Sequence, residues 1–446
     1  MASSGYAFAN PQRSPDDYNE FDPQDVAADS KIIATQVIEP IPAPSKTPPV
    51  MALGDVLNAS TIQAIQSAGK IVFHSTGDTG GIKEPSHQFA VADAMADDVA
   101  AKTFATGRAA FFYHLGDVVY YFGQERYYYD QFYDPYRDYA APIFAIPGNH
   151  DGVLFKAEPV PFSLASFVEN FCSKAPKSDP AAKGFSRTTM TQPGVYFTLN
   201  APFLKIIGLY SNTGETTGVI SDAVSGTAQL TFLQNQLTAA AAQRAQKGAA
   251  PFALVLAVHH PPFTVSKSHS PSPAMLTQID AACVAANIWP DIVLSGHAHL
   301  YERYTRVMKS DGRQIAYVVA GNGGYLNFSD PAKGKNGVVP QPGIPGNDAK
   351  GNELTLNVFN NTMHGFLRLT VDGKTILCES LGVDETTKAT SSMDAFTVDL
   401  TKHVVATQGA AQASRTRAGD VVRPRTARIA KPAAMAGKGP KAKKRT

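Results

Sequence analysis

Five short apolar runs in this 446-residue sequence each end on residues able to bind a metal or carry a proton. Run 70–76 leads to Asp78, and run 109–116 leads to Asp117 and Tyr120. Run 142–147 leads to Asn149 and His150, run 252–258 to His259 and His260, and run 292–295 to His297 and His299. Singly, each has a bland reading. Gly-Asp pairs close strands as turns, a lone histidine is more often a satisfied core residue, and alternate strand residues share a face by geometry alone. Together they resist that reading, because every one follows an apolar strand and none is a natural core filler. Carboxylates, imidazoles, an amide oxygen and a phenol suit hard or borderline metals such as Fe, Mn and Zn. The seven candidates Asp78, Asp117, Tyr120, Asn149, His259, His297 and His299 exceed one tetrahedral site. They fit two ions about 3.5–4 Å apart that share a carboxylate.

The elements that must position these residues follow from the apolar pattern. Apolar runs of strand length alternate with stretches of helical spacing at 86–107, 227–246 and 273–287. Strand, loop, helix and strand in succession is an α/β pattern, and such sheets place their chemistry past the carboxyl ends of the strands. Segments 195–199 and 204–209 read as a hairpin. Beyond residue 303 the pattern turns to strands, at 304–308, 314–321, 365–372, 375–381 and 394–401. Residues 326–355, rich in Gly, Pro, Asn and Lys, read as a long loop. The aromatic segment around Tyr127, Tyr128, Tyr129, Phe132, Tyr133 and Tyr136 is expected to pack onto the sheet with its surplus phenols at the surface.

The ends of the chain differ from its body. Residues 1–50 are polar and acidic and close on a proline-rich stretch, which predicts an extended arm, disordered or partly ordered. The expected catalytic domain is 51–402, with an irregular insertion at 152–192. From 403 onward the composition predicts a disordered tail. Residues 411–446 carry eleven Lys/Arg against one acid, Asp420, so of the formal +2 charge the remaining chain bears −8. Cys172, Cys283 and Cys378 are too few and too scattered for a disulfide scaffold. The first 50 residues lack a basic segment followed by an apolar run, and no apolar stretch reaches membrane-spanning length. The expected compartment is the cytoplasm, with export of a processed precursor as the alternative.

The motifs carry a resemblance. Gly77-Asp78-Thr79-Gly80, Gly116-Asp117-Val118-Val119-Tyr120, Gly148-Asn149-His150-Asp151, Leu256-Ala257-Val258-His259 and Gly296-His297-Ala298-His299 stand in the order of the five blocks GDxG, GDxxY, GNH[ED], VxxH and GHxH. The sequence thus resembles the calcineurin-like metallophosphoesterases, and within them the purple acid phosphatases. Leu256 replaces a valine, a mild swap for a strand residue. Gly80 stands where the wider family has a histidine, and Tyr120 is present instead. Gly296 to Arg303 also looks like the GHxHxYER of the larger members.

The resemblance implies a four-layer α/β/β/α sandwich of mixed sheets with the metal site at strand ends. It implies that Asp78, Tyr120 and His299 hold Fe(III), that Asn149, His259 and His297 hold Fe, Zn or Mn, and that Asp117 bridges. It implies hydrolysis of phosphate monoesters, on small molecules or phosphoproteins, by a metal-held hydroxide attacking phosphorus in line. His150 would assist the leaving group, and His269, ten residues beyond His259, would face the phosphate. The alternatives are a phosphodiesterase or nucleotide pyrophosphatase on the same site, or a non-catalytic binding protein acting through its basic tail. That tail lacks aromatic residues for base stacking, so only weak association with anions or nucleic acid is expected. Deleting 411–446 is therefore expected to abolish salt-sensitive retention on an anionic column while leaving hydrolysis intact; unchanged retention contradicts it.

Overall fold

The computed structural model describes residues 39–81, 84–154, 160–178, 187–211, 218–333 and 338–408. In chain order the first strands are β1 (Val50–Ala52), β2 (Ile71–Thr76), β3 (Ala109–His114), β4 (Ile143–Ala145), β5 (Phe197–Ala201) and β6 (Leu204–Leu209). Next come β7 (Ala253–Val258), β8 (Ile292–Ser295), β9 (Tyr301–Val307), β10 (Gln314–Ala320) and β11 (Pro345–Asn347). The last are β12 (Glu353–Asn360), β13 (Gly365–Val371), β14 (Thr375–Val383), β15 (Thr390–Asp399) and β16 (Val404–Thr407). The helices are α1 (Ala59–Ser67), α2 (Ser86–Ala100), α3 (Asn149–Gly152), α4 (Ala165–Phe171), α5 (Ala228–Ala245) and α6 (Pro273–Ala286).

These strands form two mixed sheets, ordered β1-β5-β6-β7-β8-β10-β9-β12-β11 and β16-β15-β14-β13-β2-β3-β4. The period of two along each strand divides its side chains between two cores. On β7, Ala253, Val255 and Ala257 join the core between the sheets, whereas Leu254, Leu256 and Val258 join the core under the helices. Phe73, Phe111 and Phe144 from one sheet meet Phe197 and Leu199 from the other. Each such ring contributes roughly 1.5–3 kcal/mol by leaving water. Strands β2, β3 and β4 run parallel, as do β6, β7, β8 and β10. Their C-terminal ends deliver the five polar loops to one rim. The result is the α/β architecture with two mixed sheets that the sequence predicts.

Several boundaries differ from the sequence reading. Val50 is not the end of a free arm: it opens β1, which pairs in parallel with β5. The preceding proline-rich segment is tied down, with Ser45 donating to the Pro193 carbonyl and Glu39 accepting from Ser163 N. At the other end β16 pairs with β15, because Val404 and Val405 supply a strand before the basic composition begins. Residues 1–38 and 409–446, where the disordered arm and tail are expected, lie outside the described residues. The 326–355 loop contains β11 and leads into β12, whose antiparallel partner is β9. The pairing of β12 with β9 shifts register at a bulge between Leu356 and Val358. The second helix stops at Ala100 rather than 107.

The aromatic segment is also corrected. Glu125–Tyr127 form a 3₁₀ turn and Tyr129–Tyr133 a π-helical turn, and Tyr128, Tyr129, Phe132, Tyr133 and Tyr136 are fully buried rather than surface phenols. Helix α4, inside the 152–192 insertion, covers them. Phe171 packs 4.9 Å from Phe132, and Tyr133 donates to Asn170 at 2.7 Å.

A buried ion cluster locks the opposite flank. Arg306 on β9 donates to both Asp280 oxygens at 2.8 and 2.7 Å and to Asp348 at 2.7 Å. Removing one partner strands the others in a low-dielectric interior. Arg306→Ala is expected to destabilise the fold by about 3–5 kcal/mol in urea unfolding; a loss under about 1 kcal/mol, typical of an exposed pair, contradicts that reading.

Candidate metal centre and catalytic cleft

The loops after β2, β3 and β8 turn sharply enough that Asp78, Asp117 and His297 adopt left-handed backbone, at φ of +56°, +53° and +67°. Non-glycine residues pay about 1–3 kcal/mol each for such conformations. Backbone bonds hold them: Asp78 N donates to Gly116 O at 3.0 Å, and His297 N to the Asp78 carboxylate at 2.7 Å. Gly148 is required by close approach, since a Cβ there would stand 2.0 Å from Asp117 Oδ1.

All seven ligand candidates meet at this rim, and each is buried. They fall into two groups that share Asp117. On one side Tyr120 Oη lies 3.3 Å from Asp78 Oδ1 and 3.4 Å from His299 Nε2. On the other, Asn149 Oδ1 lies 2.9 Å from His297 Nδ1 and 3.0 Å from His259 Nε2. Asp117 Oδ2 reaches both, at 3.2 Å from Tyr120 Oη and 3.2 Å from His259 Nε2.

The donor chemistry fits cations. His259 Nδ1 donates to Leu115 O at 2.8 Å, which in the neutral ring leaves Nε2 as an acceptor. That acceptor faces two others, Asn149 Oδ1 and Asp117 Oδ2. Acceptors crowd together in this way around a positive charge. Without one, burial raises the Asp78 pKa well above the carboxylate range, and Asp117 adds to this against the pull of His259. Burial would lower the His259 pKa, but the Asp117 carboxylate reverses this and holds it at about 9. Asp117, His259 and His297 also bring three donor atoms within 4.8 Å of one another.

Supporting residues went unassigned in the sequence reading. Asp151 accepts from Val118 N, Val119 N and Gly148 N, stitching the second loop to the third. Its pKa rises to about 7 through burial and the nearby Asp117. Gln131 brackets the Tyr120 backbone, accepting from its N–H at 2.8 Å and donating to its carbonyl at 2.9 Å. Gly80 acquires a physical role. A Cβ there would sit 2.4 Å from Tyr120 Cδ2, so the absence of a side chain at 80 is what admits the phenol.

A cleft of about 220 Å³ opens over the centre, lined by Tyr121, His150, His269, His299, Tyr325 and Phe328, among others. His150 Nδ1 donates to Tyr121 O at 2.9 Å. His269 belongs to the site: its ring lies 4.6 Å from that of His297 and 4.8 Å from that of His299. Its Nδ1 meets Ser329 Oγ at 3.0 Å. Tyr325 was missed. Its ring packs, tilted by about 40°, against Tyr120 at 4.6 Å and His299 at 4.1 Å. Its signal was the Gly-Asn-Gly-Gly run after β10, a sixth polar strand end.

The calcineurin-like phosphoesterase family model matches residues 49–301. The chain belongs to that family, and the centre described above is its candidate metal site. Solved structures of similar fold include a purple acid phosphatase from yellow lupin, at 16% identity and a TM-score of 0.49, covering 74% of this chain. The chain spans 54% of the lupin protein's length. GAP50 of Plasmodium is similar at 13% identity and a TM-score of 0.45, covering 73% of this chain and 88% of that one. PhoD is similar at 16% identity and a TM-score of 0.43, covering 83% and 73%. No curated protein sequence matches.

The fit between Gly80 and Tyr120 can be measured as a coupling. Gly80→Ala is expected to cost about 1–3 kcal/mol of stability, as overpacking does. In a Tyr120→Ala background that cost should fall by half or more in a double-mutant cycle; equal costs in both backgrounds contradict the contact.

Proposed function

We propose that this chain hydrolyses phosphate monoesters at a binuclear centre of the purple acid phosphatase type. Asp78, Tyr120 and His299 would hold Fe(III), and Asn149, His259 and His297 a second ion, Fe, Zn or Mn, with Asp117 between them. The observation that carries this is the placing of Tyr120 Oη within 3.2–3.4 Å of Asp117, Asp78 and His299, in space that Gly80 leaves open. When bound, two cations neutralise the anionic ester and lower the pKa of water toward neutrality.

The protein's own groups supply the rest. The bond from His150 Nδ1 to the Tyr121 carbonyl directs the other ring nitrogen toward the cleft. From there the protonated ring delivers its proton to the departing alkoxide. Ser329 and Ser268 orient His269, at 3.0 and 3.2 Å from its Nδ1. His269 thereby presents an imidazole to a phosphate oxygen. Tyr325, packed against Tyr120 and His299, shields the centre from bulk water and bounds the cleft. The compact cleft suits a terminal phosphate, with the rest of the substrate outside.

Steady-state kinetics test the reading. The metal-loaded protein should turn over an aryl phosphate monoester faster than the matching diester, and a chelator should abolish the activity. His150→Gln should lower kcat by about 10²–10⁴-fold, the usual worth of a general acid, while His269→Ala should act mainly on KM. Faster diester turnover would overturn the monoester assignment. An unchanged kcat in His150→Gln would remove the proposed acid.

A further inference from the structure

A second set of metal-ligand groups lies outside the centre just described. His87 on α2, His364 before β13 and Glu385 in the β14–β15 turn bring one donor atom each within 4.8 Å of one another. His87 Nδ1 approaches Glu385 Oε1 to 2.5 Å, yet that nitrogen is buried and makes no hydrogen bond. His364 Nδ1 lies 3.4 Å from the same carboxylate oxygen. The two imidazoles stack at 4.4 Å.

The protonation pattern points to a cation. His364 Nε2 is 2.9 Å from the Tyr325 carbonyl, and only an N–H can bond to a carbonyl. In the neutral ring this leaves Nδ1 as a bare acceptor facing a carboxylate oxygen. A histidine whose far nitrogen donates to a backbone carbonyl is the arrangement that orients metal-binding imidazoles. Two imidazoles and one carboxylate form a set that binds Zn²⁺ with a position left for water. Bonds of that kind place ligand atoms about 3.3 Å apart; His364 and Glu385 are at 3.4 Å, and His87, at 2.5 Å from the same oxygen, would move outward on binding.

The three elements are fixed independently of any ion. Asp384 Oδ1 accepts from Thr386 N and Thr387 N, which shapes the turn bearing Glu385. Gly324 lies so near α2 that a Cβ there would stand 2.6 Å from Gln88 Cα, which holds the loop of Tyr325 against the helix of His87. The cluster also touches the catalytic cleft. Phe328, which lines it, stacks on His364 at 4.3 Å, and the Tyr325 carbonyl receives the His364 hydrogen bond.

We propose that His87, His364 and Glu385 form a further zinc site, separate from the catalytic pair, that pins the Tyr325–Phe328 loop at the mouth of the cleft. The test uses the full chain loaded with Zn²⁺ and desalted, with bound metal measured by mass spectrometry and folding checked by circular dichroism. His87→Ala and Glu385→Gln should each bind about one zinc ion per chain fewer than the wild type, because each removes one of three protein ligands. Zn²⁺ should also raise the Tm of the wild type more than that of either variant. Folded variants that keep the wild-type zinc content would overturn the proposal and leave the cluster an ion pair only. Should His87→Ala fail to fold, the conservative Glu385→Gln decides alone.

Discussion

Two carboxylates, Asp78 and Asp117, are buried side by side, with Tyr120 Oη within 3.2–3.3 Å of both. Burying one ionised carboxylate is costly, and burying two together costs more. Tyr120 Oη, His297 N and His150 N donate to these carboxylates, but hydrogen bonds do not cancel two neighbouring buried negative charges. A pair of cations answers all of these demands at once. Much of the surrounding structure can be understood as holding that acceptor-rich arrangement open for them.

The holding is done by backbone more than by side chains. Three site residues sit in left-handed conformations, and glycines at 80 and 148 give way where Tyr120 and Asp117 need space. Asp151 binds three backbone N–H groups and so couples the loop of Asp117 to the loop of Asn149. The strain is sustained by the two sheets beneath, whose aromatic core between Phe73, Phe111, Phe144 and Phe197 fixes the strand ends from which the loops spring. Stability is thus invested in the frame and spent locally at the rim.

The residues that meet at the rim were legible in the sequence because each follows a buried strand, and buried strands declare themselves as short apolar runs. The α/β architecture was legible for the same reason. What escaped was mostly set by tertiary contact. β12 lies at the end of a stretch whose Gly, Pro, Asn and Lys content reads as loop, although Leu354, Leu356 and Val358 alternate with polar residues. The buried tyrosines looked like surplus surface phenols, because only α4, packed across them, shows what covers them. Tyr325 follows glycines whose motif carries no chemistry of its own, and His87, His364 and Glu385 are far apart in sequence with no shared motif. Gly80 was noticed as a missing histidine; that it makes room for Tyr120 became visible only from the 2.4 Å that a Cβ would leave.

Visible absorption tests most directly whether Tyr120 binds a metal in the proposed catalytic centre. The purified, iron-loaded protein should be coloured through charge transfer from the Tyr120 phenolate to Fe(III). Tyr120→Phe should lose the band while total bound metal stays nearly unchanged, since the other six candidate ligands remain. A band that survives Tyr120→Phe, or an active protein that is colourless and holds only Zn or Mn, would contradict that assignment.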